Sequence, residues 1–184
     1  MALESLKRCT ATLGAENLST IRSIYHLARL NLKTDRADEA QALIVDGIER
    51  ASTGLGAQHF ETLRLMRLLA DVYAALEQRD EADRLYVECL AGMKVALPAE
   101  HSDIGIVLRQ HGRLLLSKQK TVESETMLLD AYKVLNAALG NGHPETRSAI
   151  YGLVDLYDRT TDRESAALWR NKLSSETTRM DHED

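Results

Sequence analysis

Residues 55–86 read LGAQHFETLRLMRLLADVYAALEQRDEADRLY, and two apolar stripes starting in this stretch decide the fold. Leu65, Met66, Leu69, Val72, Tyr73 and Leu76 recur at helical spacing, and so do Ala82, Leu85, Tyr86, Cys89, Leu90 and Met93. The polar run from Glu77 to Asp80 separates them. The unit is therefore two antiparallel helices, A then B. Its opening pair recurs as Leu13-Gly14, Leu97-Pro98 and Leu139-Gly140, always 42 residues apart. Behind it run further columns: Asn17, His59, His101, His143; Thr20, Thr62, Ile104, Thr146; Leu27, Leu69, His111, Leu153; and Ala40, Ala82, Ser124, Ala166. No insertion breaks the register. A fixed period of this size signals stacked helical hairpins, because one hairpin cannot bury both of its faces.

The columns predict A helices at 18–34, 60–76, 102–118 and 144–160, and B helices at 37–53, 79–95, 121–137 and 163–175. Residues 2–13 align with a B helix that lacks its A partner, a cap or the cut edge of a longer array. The expected architecture is an all-α, right-handed α-solenoid over residues 1–175 (repeats 18–54, 60–96, 102–138, 144–175) with a fraying polar tail at 176–184. Gly14, Gly56 and Gly140 suit left-handed positions after B helices, and Pro144 suits a helix start. Ala28, Ala70 and Gly112, opposite the Ala40 column, leave room for close helix crossings.

Composition narrows the function. The chain has 184 residues, 44% apolar and 28% charged, with a net charge of −5 that argues against general nucleic-acid binding. No apolar run approaches the ~20 residues of a membrane span, and the two cysteines, Cys9 and Cys89, make no disulfide framework. A reducing cytoplasm fits. His59, His101 and His143 stand one repeat apart, too far to share a metal, and read as caps of the A helices. His111 replaces a core leucine and reads as a buried histidine; Trp169 falls in the Leu43, Leu85, Met127 column and reads as packing. Arg170 puts a charge in the apolar column of Ile44, Tyr86 and Leu128, which marks an array end. No nucleophile motif, phosphate loop or zinc pattern appears, so no catalytic residue, metal or cofactor is expected.

Leu55-Gly56, His59, Thr62, Leu69-Ala70, Tyr73, Glu81-Ala82 and Tyr86 together resemble the 42-residue tetratricopeptide repeats of the kinesin light chain type. The segment from His143-Pro144 to Leu173 is similar to the ends of repeat arrays in bacterial signalling proteins, some attached to kinases. The resemblance implies a protein-interaction scaffold, not an enzyme, or alternatively an oligomerisation or regulatory module of a larger bacterial signalling protein. It also implies that the A helices line a concave groove. The inward columns then supply Arg22, Tyr25, Arg29, Arg64, Arg67, Arg109, Arg113 and Tyr151 as candidate peptide-binding residues. Their basic excess points to an acidic peptide partner, with neither nucleic acid nor membrane as partner and with self-association through the end helices as a further expectation. Two departures stand out. The column at 25, often Asn in the family, reads Tyr25, Arg67, Arg109, Tyr151. The A–B turn, usually Gly, reads Asp35, Glu77, Gln119, Thr161, at a cost of about 1 kcal/mol each if the turn needs positive φ. The third unit, with Pro98, Ile104 and His111, is expected to be irregular.

Overall fold

The computed structural model describes residues 2–180. Among them are nine helices and no strand: α1 (Ala2–Leu13), α2 (Leu18–Lys33), α3 (Ala37–Gly54), α4 (Phe60–Ala75), α5 (Arg79–Ala96), α6 (Ser102–Ser117), α7 (Thr121–Leu139), α8 (Pro144–Arg159) and α9 (Arg163–Met180). They form two compact units, α1–α5 up to Leu97 and α6–α9 from Pro98. In the first unit each helix packs on the next, and the A helices α2 and α4 also touch. In the second the same holds, with α6 and α8 as the A helices.

The A helices start and stop as their columns dictate. Nδ1 of His59, His101 and His143 accepts the backbone N–H two residues on, at 3.2 Å in each case. Asn17 Oδ1 does the same at 2.9 Å. Each satisfies one of the first-turn donors that a helix leaves open. At the other end Asp35, Glu77, Gln119 and Thr161 take φ of 59°, 61°, 61° and 62°. The N–H of the following residue then donates back to the carbonyl of Asn31, Tyr73, Leu115 and Tyr157, respectively, with N···O of 2.9–3.0 Å. This closes a Schellman-type turn, and the B helix leaves it directly, without a side-chain cap at Arg36, Gln78 or Lys120. The A helices therefore end one residue before the expected boundary. At the far end α9 runs to Met180, so the expected tail from 176 is helical up to that point, and 181–184 lie outside the described residues.

B helices pass to the next A helix through a second device. Gly14, Gly56 and Gly140 have φ of 93°, 101° and 80°. Thr20, Thr62 and Thr146 donate their hydroxyls to the carbonyls of those glycines at 2.7, 2.8 and 2.8 Å. The third repeat loses both halves at once. Pro98 cannot adopt positive φ, and Ile104 has no hydroxyl to offer. There Leu97 is extended, at φ −128°. The expected irregularity stays at that junction; α6 and α7 are regular.

The core follows from close crossings. Ala28, Ala40, Ala70, Ala82, Ser124 and Ala166 are all fully buried. Ser124 donates its hydroxyl to the Gly112 carbonyl at 2.7 Å, so its burial leaves no unmet group. In the second unit glycine tightens the contact further. A Cβ on Gly105 would stand 2.6 Å from Leu135 Cγ, and one on Gly112 2.8 Å from Leu128 Cγ. Leu116, Leu128, Ile150, Leu153, Leu156, Tyr157, Ala166 and Trp169 form one cluster there, each large apolar member contributing about 1.5–3 kcal/mol by burial. Trp169 is a packing residue, edge-on to Tyr132 with ring centroids 4.9 Å apart. Arg170 instead clasps Asp158 at 2.5 and 2.6 Å in a surface pair.

Four non-glycine residues in the left-handed region store strain that glycine would release, less glycine's own entropic cost. Thr161→Gly and Glu77→Gly should each raise stability by roughly 0.5–1 kcal/mol in urea denaturation, with the β-branched Thr161 gaining more. A loss of stability at both positions would contradict the strained-turn assignment.

Candidate functional site on the exposed faces of the A helices

In the first unit α2 presents one exposed stripe, Arg22, His26, Arg29 and Lys33, at the 4-3-4 spacing that puts residues on one helical face. His26 is the member that the family columns did not supply; plain helical periodicity between Arg22 and Arg29 would have found it. Among the described residues Arg29 and Lys33 make no ion pair. Tyr25 lies beneath the stripe, buried. Its ring is the floor on which arginines rest. Arg64 of α4 stacks over its ring at 4.3 Å and Arg29 approaches the same ring at 5.8 Å. Arg67 donates to its hydroxyl at 2.8 Å.

A polar network fastens α4 to α2. Glu61, 2% exposed, accepts from Arg22 Nε at 2.6 Å and from Arg64 at 3.0 Å. Arg67, also buried, reaches Asp71 at 3.3 Å, and Tyr86 of α5 donates to the other Asp71 oxygen at 2.6 Å. Arginine suits this role because its planar fork serves two acceptors and its flat face stacks on an aromatic ring. The second unit uses the same arrangement once: Arg109, buried, donates to Glu145 of α8 at 2.8 Å. Tyr157 donates to Glu125 at 2.7 Å, and burial, then the neighbouring carboxylate, push its phenol up to about 12. Arg113 and Tyr151 stand exposed on α6 and α8.

The eight candidate residues thus divide. Arg22, Arg29, Arg113 and Tyr151 are exposed and Arg64 is half-buried, whereas Tyr25, Arg67 and Arg109 are covered by the following helix or by their own partners. The sequence did hold a signal for this. Glu61 and Glu145 sit at the starts of A helices, 39 residues after Arg22 and 36 after Arg109, where a carboxylate faces the preceding A helix. Among the described residues no group of three or more His, Cys, Asp or Glu is placed to hold a metal. No described helix is long and apolar enough to cross a membrane.

Removing the acceptor should cost more than removing one donor. Glu61→Ala strands Arg64 against Tyr25 and frees Arg22, and should destabilise by roughly 1–3 kcal/mol in urea. Arg22→Ala should cost under about 1 kcal/mol, because its side chain is 55% exposed and Arg64 still holds Glu61. Equal costs would show that the network is not organised around the carboxylate.

Comparison with known proteins agrees with this architecture. A family model described as "Tetratricopeptide repeat" matches residues 62–103. No curated protein matches the chain by sequence. Among solved structures, the nearly identical TPR-like repeats assigned to a Podosopora anserina kinesin light chain align with a TM-score of 0.74 and 21% identity, over 97% of this chain and 85% of that one. BtubC (BKLC) from P. vanneervenii aligns with a TM-score of 0.81 and 18% identity, over 93% of this chain and 68% of that one. The chain therefore carries a tetratricopeptide repeat at 62–103 and has the all-α helical-repeat fold of kinesin light chain-like solenoids.

Proposed function

We propose that this chain is a protein-interaction scaffold, the general role of repeats of this fold, and that it binds an acidic peptide segment in an extended form on the exposed face of its A helices. The observation that carries this is the stripe on α2. Arg22, Arg29 and Lys33 line up on one face of a protein whose net charge is −5, and Arg29 and Lys33 have no carboxylate of their own among the described residues. Arg64 flanks the stripe, half-buried, and its guanidinium is already oriented by Tyr25 and Phe60 at 4.3 and 5.4 Å. A side chain held in place loses less freedom on binding. Arg67 and Tyr25 of the same unit support this face from below. The role is binding, not catalysis, and two cysteines outside any disulfide suit a cytoplasmic setting.

Arg29→Glu tests this while removing no hydrogen bond or ion pair among the described residues, its contact being the outer approach to the Tyr25 ring. A fluorescent peptide of alternating Glu and Leu should bind roughly tenfold more weakly to Arg29→Glu, with unchanged helical circular dichroism, and should weaken as salt rises. Affinity indifferent to both changes would sink the acidic-peptide reading. A second reading, self-association through the end helices, draws on α1, where Leu3 and Leu13 are 53% and 51% exposed. Light scattering over a concentration series should then show a dimer that Leu3→Ser and Leu13→Ser dissolve; a strict monomer removes this reading.

A further inference from the structure

The column that begins at Tyr25 holds a second tyrosine, Tyr151, at the same place in an A helix. The two have opposite surroundings. Tyr25 is 3% exposed and Tyr151 is 55% exposed. Tyr25 is covered by the A helix that follows it, whose Arg64 stacks on the ring and whose Arg67 meets the hydroxyl. Tyr151 lies on α8, and among the described residues it makes no hydrogen bond and no ring contact. The molecule thus shows, at one copy of the position, what covers a tyrosine there.

The neighbours on α8 change which charge is welcome. Where α2 carries Arg22 and Arg29 around its tyrosine, α8 carries Ser148 and Asp155. Asp155 is an acceptor four residues on, hence on the same face. It is engaged by Arg159 at 2.9 Å, a surface pair with both side chains more than half exposed, and such pairs are weak enough to be competed away. The surface beside it is polar too, since Arg170 and Asp158 occupy columns that are apolar in earlier repeats. A purely apolar helix is therefore a poor fit for this face.

We propose that Tyr151 is the anchor of a docking surface for a partner helix bearing an Arg-x-x-Arg pair, laid on α8 as α4 lies on α2. The first arginine stacks on the phenol ring, and the second donates to the phenol oxygen. Asp155 attracts the pair. Tyrosine with arginine is the pairing in which interface energy tends to concentrate. This surface differs in partner charge from the cationic stripe on α2, so the two can be tested apart.

The probe is a fluorescently labelled, alanine-based helical peptide containing Glu-x-x-Arg-x-x-Arg, titrated into the 184-residue chain and followed by fluorescence anisotropy in every variant, and also by NMR of the Tyr151 ring where that ring is present. Saturable shifts are expected. Tyr151→Ala should abolish binding, Tyr151→Phe should weaken it severalfold while keeping the stacking contact, and Asp155→Asn should weaken it in a salt-dependent way. A peptide with both arginines changed to Gln should bind at least fivefold more weakly. Tyr151 is exposed, so these variants leave the core intact, and circular dichroism verifies that. The proposal is overturned if millimolar peptide gives no saturable shift, or if Tyr151→Ala binds as well as the parent. A concentration-dependent dimer that Tyr151→Ala dissolves would also overturn it, since the occupant would then be a second copy.

Discussion

Everything in each unit depends on how closely an A helix and its B partner can approach. The crossing points are Ala28 with Ala40, Ala70 with Ala82 and Gly112 with Ser124, and none of the five alanine and serine side chains among them is exposed. Small residues there leave room for the larger ones, Ile24, Ile44, Leu65 and Leu128, to be buried. The crossing also sets the turn. With two helices this close, few residues remain to reverse the chain, and one of them must go left-handed. The protein places Asp, Glu, Gln and Thr there and bears the strain. That these turns hold without glycine shows how strongly the packing on both sides determines them.

The same closeness explains the polar face. Where two A helices lie side by side, their long side chains reach one another before they reach solvent. Glu61 draws in Arg22 and Arg64, and Arg67 bridges Tyr25 to Asp71. Buried arginine is costly unless its donors find acceptors; the network supplies them to terminal nitrogens of Arg64, Arg67 and Arg109, while the Nε of each is buried without one. Paired arginines tie neighbouring helices together, whereas Arg29, Lys33 and Arg113 are exposed and make no ion pair among the described residues. On α8 no described A helix follows, and Tyr151 stays in solvent.

The worn third repeat shows how local losses are contained. Pro98 and Ile104 remove the glycine carbonyl and threonine hydroxyl pairing that the other junctions share, yet α6 still starts on a histidine cap. The hairpin behind it is tightened by Gly105 and Gly112, which admit Leu135 and Leu128 against the backbone of α6. Damage at the junction and close packing within the hairpin are separate matters, because capping is satisfied by nearest neighbours in the chain and packing is not.

Sequence by itself determined the repeat, the helix order, the turn positions and the histidine caps. Those features rest on interactions within a few residues, and a strict period displays them four times over. It also marked Trp169 as packing by column alone. Only the tertiary structure decided which members of the charged columns are available. Arg67 and Arg29 look alike in a list of basic residues, but one is held between Tyr25 and Asp71 and the other faces water. Periodicity assigns a residue to a side of its own helix. Whether a neighbouring helix covers that side depends on the reach of side chains some forty residues away, and only the folded packing brings those together.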